Sequence, residues 1–130
     1  MEDTVVPLST ASLQKFNVRK AGLNPLHPHA EMFGVIRGGR VVAFGGLYMR
    51  NKTCWLCSDY TVPSFRRQGL HWALLQWRIQ RARDMGATVV CASPLEPSLA
   101  NFVKAGFVIG RKYSKAAGSA SRARLELTQK

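Results

Sequence analysis

Carboxylates are scarce in this chain. Seven Asp and Glu stand against 19 Lys and Arg, a formal net charge of +12. The deficit disfavours a polycationic partner and favours anionic ones: nucleic acid, a phosphorylated cofactor or an acidic protein surface. The basic residues are spread along the chain, so no patch is located by sequence. Cysteine is sparse and odd in number, at three, which argues against a disulfide framework. Cys54 and Cys57 form a Cys-x-x-Cys pair within a strand-like run, where an odd offset sends the side chains to opposite faces. That suits neither zinc nor a redox pair, so the cysteines read as small buried apolar residues and no metal is expected. No apolar run approaches the roughly 20 residues that span a bilayer, and no charged-then-apolar leader opens the chain. A cytoplasmic protein without membrane association is expected. Two phosphate-binding patterns are missing as well, the ATPase loop Gly-x-x-x-x-Gly-Lys-Ser/Thr and the dinucleotide fingerprint Gly-x-Gly-x-x-Gly. Ser93 and Cys91 lack the His–acid pair that a nucleophile needs.

What is present is a hydrophobic fraction of 46% over 130 residues, enough for one core and one domain spanning 1–130. Thr4 to Leu8 reads as a strand, and Ser9 or Thr10 caps a helix that buries Leu13 and Phe16. The two prolines of Asn24–His29 forbid regular structure there. Met32–Arg37 and Arg40–Met49 flank Gly38-Gly39, a strong hairpin signal. Gly45-Gly46 marks a bulge or the close approach of a neighbour. Thr53–Val62 returns as a central strand, with Cys54, Leu56, Ser58 and Tyr60 on one face and Trp55, Cys57, Asp59 and Thr61 on the other. A helix then buries Leu70, Leu74 and Trp77 along one stripe and Trp72, Leu75, Ile79 and Ala82 along another. Ala87–Ala92 is a buried strand, so strand, helix and strand form a parallel crossover. A short helix over Pro97–Ala105 and a last hairpin, Phe107–Tyr113 with Arg122–Thr128, complete the chain. Ser114–Ser121 reads as a flexible loop between them.

The chain is organised around Tyr60–His71, where a strand ends, a basic glycine turn follows and a helix begins. Pro63 stops the strand. Gly69 permits a backbone conformation closed to other residues. The helix behind it opens with unpaired N–H groups and partial positive charge, a ready anion site, and Arg66 and Arg67 stand at its mouth.

Arg66-Arg67-Gln68-Gly69-Leu70-His71 after an antiparallel strand resembles the Gln/Arg-x-x-Gly-x-Gly/Ala signature of the GNAT superfamily of acyl-CoA-dependent N-acetyltransferases. Val62-Pro63-Ser64-Phe65-Arg66 resembles that family's approach to the signature, and Ala105-Gly106-Phe107 its Gly-Phe helix ending. The order of elements matches over nearly the whole chain. The resemblance implies an α/β fold with a mixed, mostly antiparallel sheet and one parallel strand–helix–strand crossover. It implies acetyl-CoA as co-substrate, with backbone amides of Arg67, Gln68, Gly69, Leu70 and His71 around its pyrophosphate and Arg66 beside them. Tyr60, Thr61 and Val62 would pair with the pantetheine arm, and Asn101 is a further candidate contact.

Three positions depart from the family pattern. His71 replaces a small residue, so its ring either crowds the turn or points outward to a phosphate. Phe102 stands where a proton-donating tyrosine is common, and Leu95 where an asparagine is. Asp59 is the best candidate for a general base; the competing reading has it capping a turn or pairing with an arginine. His27, His29 and Glu31 border the expected acceptor site. Two readings stay open: an N-acetyltransferase acting on an amine acceptor, or an inactive GNAT-fold protein that binds nucleic acid or an acidic protein. Tryptophans that read as exposed hint at a homodimer.

Overall fold

The apolar runs on either side of Gly38-Gly39 form a tight hairpin in the computed structural model, which describes residues 4–9, 30–115 and 118–127. Strands β1 (Val5–Leu8), β2 (Glu31–Arg37), β3 (Arg40–Arg50) and β4 (Thr53–Thr61) are antiparallel to one another in sequence, with Arg37 opposite Arg40 at the hairpin turn. Pro63 ends β4 and opens a single 3-10 turn, Pro63–Phe65. Helix α1 (Leu70–Asp84) leads to β5 (Val89–Ala92), which lies parallel to β4. A 3-10 turn, Glu96–Ser98, runs into α2 (Leu99–Lys104), and β6 (Val108–Lys115) and β7 (Gly118–Glu126) close the described chain. The strands make one seven-stranded sheet ordered β1-β2-β3-β4-β5-β7-β6, mixed, with β4 and β5 its one parallel pair among the described residues. This is the architecture that the sequence predicts. The first predicted helix and the His27 and His29 loop lie outside the described residues.

The core sits between α1 and the sheet. Leu70, Leu74, Leu75, Ile79 and Ala82 recur at helical spacing and pack on Phe33, Val35, Leu47, Cys54 and Leu56. Phe102 of α2 meets Phe107 edge-on at 5.0 Å, which docks the short helix against the same core. Burial pushes the Cys54 thiol up to about 11, the behaviour of an inert packing residue. Cys57 and Cys91 are only half-buried, so the expectation of burial holds fully for Cys54 alone.

Four expectations change. β5 starts at Val89 rather than Ala87, because the Ala87 amide still bonds to Ala82 O and completes the exit from α1. Most of the predicted loop Ser114–Ser121 is ladder: Tyr113 pairs with Ala120, and Lys115 with Gly118. Its small residues are there for fit. Ala120 and Ser121 are buried, and the Ser121 amide donates to Pro94 O. The tryptophans are not exposed, since Trp77 packs on Phe33 at 4.3 Å and Trp72 lies beneath the Lys104 ammonium at 4.3 Å. That removes the ground for a homodimer. Finally, the alternation of β4 is interrupted, with consequences for the site.

Candidate active site

β4 holds β5 over three residue pairs only, Thr53 with Val89, Cys54 with Val90 and Trp55 with Cys91. Beyond Trp55, β4 runs on to Thr61 with β3 along one edge and no strand along the other among the described residues. β5 ends at Ala92, one residue past the last pair, so this edge of β4 is left without a strand as it runs on toward the turn that starts α1. Within this free stretch Gly46 faces Cys57 and Phe44 faces Tyr60, so Ser58 and Asp59 together oppose Gly45. Ser58 takes a left-handed conformation, φ 58°. This is a β-bulge, and one extra residue reverses every side chain after it. Asp59 thus moves to the face of Cys54 and Leu56, toward α1, contrary to the simple alternation expected from sequence.

There Asp59 meets Arg78, which is fully buried on α1. Arg78 Nη1 donates to Asp59 Oδ1 at 2.6 Å and Nη2 donates to Oδ2 at 2.8 Å, a bidentate fork. Its remaining donors reach Gly46 O (3.0 Å) and Leu74 O (3.2 Å). Burial pushes the Asp59 carboxyl up, but the Arg78 guanidinium and the hydrogen bonds from His71 and Arg78 outweigh it and hold the group down at about 2. The arginine pairing weighed against a general-base role for Asp59 is thus formed.

His71 takes neither of its expected directions. Its ring turns inward. Nε2 donates to Asp59 Oδ2 at 3.1 Å, and Asn101 Nδ2 donates to His71 Nδ1 at 2.9 Å. The fold thus joins three predicted site residues, Asp59, His71 and Asn101, from β4, α1 and α2. The fourth member, Arg78, is the residue that sequence reasoning missed. Its signal was spacing: it lies four residues after Leu74, in phase with the buried stripe, and a buried arginine demands a carboxylate.

The glycine turn has the geometry of an anion cradle. Arg67 (φ 63°) and Gly69 (φ 81°) are both left-handed, and no side chain caps α1. The first helical bond is Ala73 N to Gly69 O, so the amides of Leu70, His71 and Trp72 precede it. A Cβ at Gly69 would meet nothing within 4 Å, so open space adjoins the backbone. Arg66, Arg67, Gln68 and Gly69 are exposed, while Leu70 is buried in the core. Arg66 Nε folds back to Thr61 O at 3.1 Å, with its guanidinium 5.9 Å from the Tyr60 ring centroid. Arg37 Nη1 donates to Gln68 Oε1 and ties the turn to β2. Val62 N is bonded to Val42 O, so the end of β4 is anchored on its β3 side. Glu31 pairs with Arg81 at 3.0 Å.

A strand edge left open beyond Trp55, beside an uncapped helix start flanked by Arg66 and Arg67, suits an extended anionic ligand. Residues 5–107 match the Acetyltransferase (GNAT) family, and the chain belongs to that family. Its fold is similar to that of the ribosomal-protein-S18-alanine N-acetyltransferase from Escherichia coli, at 18% identity and TM-score 0.81, covering 99% of this chain and 96% of that one. It is also similar to a Salmonella typhimurium protein solved with its cofactor acetyl-CoA (15% identity, 100% and 96% covered, TM-score 0.77). A Bacillus subtilis acetyltransferase in complex with CoA is a third likeness (14% identity, 98% and 100% covered, TM-score 0.75). No curated protein matches the sequence.

Proposed function

We propose that this protein is an acetyl-CoA-dependent N-acetyltransferase that moves an acetyl group to a primary amine. The observation that carries the reading is the edge of β4 left without a strand beyond Trp55, among the described residues, beside the uncapped start of α1. The residues present fit the co-substrate. The amides before Ala73, with Arg66 and Arg67 near them, suit a pyrophosphate, and the free edge of β4 from Leu56 to Thr61 suits an amide-bearing arm that pairs as a strand would. Holding the thioester against a bound neutral amine lowers the barrier by orientation. Membership of the family and the co-substrate seen in the Salmonella typhimurium relative support the same reading. The positive field favours a neutral or anionic amine over a polyamine. The alternative, a binder of nucleic acid or an acidic protein without turnover, draws on the net charge, the small size and the atypical His71 and Phe102, and no specific site among the described residues favours it.

Acetyl-CoA at millimolar concentration is expected to raise the melting temperature, since a ligand at 100 times its Kd stabilises by about 2.7 kcal/mol. Gly69→Glu, which sets a carboxylate on the cradle, abolishes that shift while the protein stays folded. Release of free thiol from acetyl-CoA is then followed across a panel of simple amines. Absence of any melting shift in the unaltered protein would sink the proposal.

A further inference from the structure

His71 links two parts of the fold that are not paired with each other as strands. Its Nε2 donates to Asp59 on the stretch of β4 that β5 no longer covers. Its Nδ1 accepts from Asn101 on α2, in the connection that leaves β5. The imidazole therefore links β4 to α2, with 20% of the side chain exposed. Its partner Asp59 belongs to the stretch of β4 whose edge would take an extended ligand.

A carboxylate on Nε2 and the Asn101 amide nitrogen on Nδ1 suit the tautomer that carries its proton on Nε2 and a lone pair on Nδ1. A proton taken up at Nδ1 would place positive charge on a ring whose other nitrogen already faces a carboxylate, the same support that an acid gives histidine in a Ser-His-Asp triad. Arg78 forks both oxygens of that carboxylate and so fixes its orientation. The groups facing the imidazole are Asp59 from β4, Asn101 and Phe102 from α2, and Arg78 from α1 behind Asp59. Phe102, with its ring centroid 5.7 Å away, has no proton to exchange.

We propose that His71 is the acid–base group of the acyl transfer, with Asp59 its positioning residue and Asn101 the resting partner that substrate displaces. The inference rests on the acyltransferase reading above. In the step, the amine nitrogen bonds to the thioester carbonyl carbon and its proton passes to Nδ1. The C–S bond breaks, sulfur keeps the electron pair, and Nδ1 returns the proton to it. Amide and free thiol leave, His71 is neutral again, and no other reactant is consumed.

The test reads the unaltered protein, and a variant serves only to assign its signals. The imidazole nitrogen NMR signals of His71, assigned by their loss in His71→Gln, are followed in the free protein and then with CoA and with desulfo-CoA. Melting temperature reports binding of each in parallel. The expected result is an unprotonated Nδ1 and a protonated Nε2 in the free protein, with Nδ1 moved by CoA and not by its desulfo analogue. Binding of CoA that leaves Nδ1 in place overturns the inference, as does an equal response to both ligands. If neither ligand raises the melting temperature, the acyltransferase reading itself fails, and that failure is read from a different measurement. With an amine acceptor in hand, His71→Gln should lower kcat about 100-fold with little change in the KM for acetyl-CoA. A loss confined to KM would instead give the ring a binding role.

Discussion

Arg78 is an arginine where helix periodicity asks for a leucine. It is one turn beyond Leu74 on the buried face of α1, and it is fully enclosed. A guanidinium survives there because all of its accepting partners come with it, Asp59 in a fork and the Gly46 and Leu74 carbonyls. The carboxylate was legible in the sequence as a chemical candidate and the arginine was not, because spacing shows a face but not which polar group that face can satisfy. The pair makes a prediction about acid. The folded Asp59 titrates at about 2, below the ordinary 3.8, so its contribution to stability is whole above the ordinary value and disappears as pH falls through about 2. That gap corresponds to about 2 kcal/mol. Arg78→Met leaves the carboxylate buried without its partner and should cost about 3 kcal/mol at pH 7. It should also weaken the acid-dependent loss between pH 4 and 2, because Asp59 then keeps only His71 to hold it down. Urea unfolding of both proteins across that range measures each effect, and a variant that keeps the acid-dependent slope of the unaltered protein would show that Arg78 is not what holds Asp59 down.

At the scale of elements, the bulge in β4 decides which face Asp59 serves. The two-residue alternation of a strand placed Asp59 with Trp55 and Cys57, and one inserted residue, Ser58, put it opposite α1 instead. The disturbance itself was legible. Gly45-Gly46 on the facing strand reads as a bulge or a close approach, and both occur at that place. The residue that bulges could not be read, because Ser58 adopts a left-handed conformation that only its neighbours make tolerable. The last hairpin failed for a related reason. Small residues look like a loop in sequence, whereas Ala120 and Ser121 are small in order to fit beneath Pro94 and Leu95. The elements around the glycine turn were predictable because proline, glycine and helical spacing act locally. Gly45 tests the crossing of β3, β4 and α1. A Cβ there would lie 2.9 Å from Arg78 Cζ and Nη1 and from Asp59 Oδ1, all of them held by the fork. Gly45→Ala should therefore destabilise by about 2 kcal/mol through overpacking. Calorimetry checks it, and unchanged stability would mean that the fork is free to move aside.

For the whole molecule the governing quantity is the charge of +12. Among the described residues Glu31 pairs with Arg81, Asp59 with Arg78, Glu96 with Lys112 and Glu126 with Arg124, and Asp84 accepts from Gln80; pairing offsets charge locally and leaves the net excess unchanged. The far field is therefore positive, and it acts on two equilibria in opposite senses. Self-repulsion among the cations opposes the compact state, so screening it should favour folding. The same field draws a polyanionic co-substrate toward the turn at Arg66 and Arg67, so screening it should weaken binding. Salt of about 0.1 M shortens the reach of such charges to about 10 Å. Raising sodium chloride from about 20 to about 200 mM, across that screening range, should raise the melting temperature of the free protein and shrink the further rise given by a fixed, subsaturating concentration of acetyl-CoA. Differential scanning fluorimetry over a grid of salt and ligand concentrations separates the two. If the ligand-induced rise did not shrink with salt, the cradle would draw its affinity from short-range amide contacts, and the excess of basic residues would have to serve something other than this site.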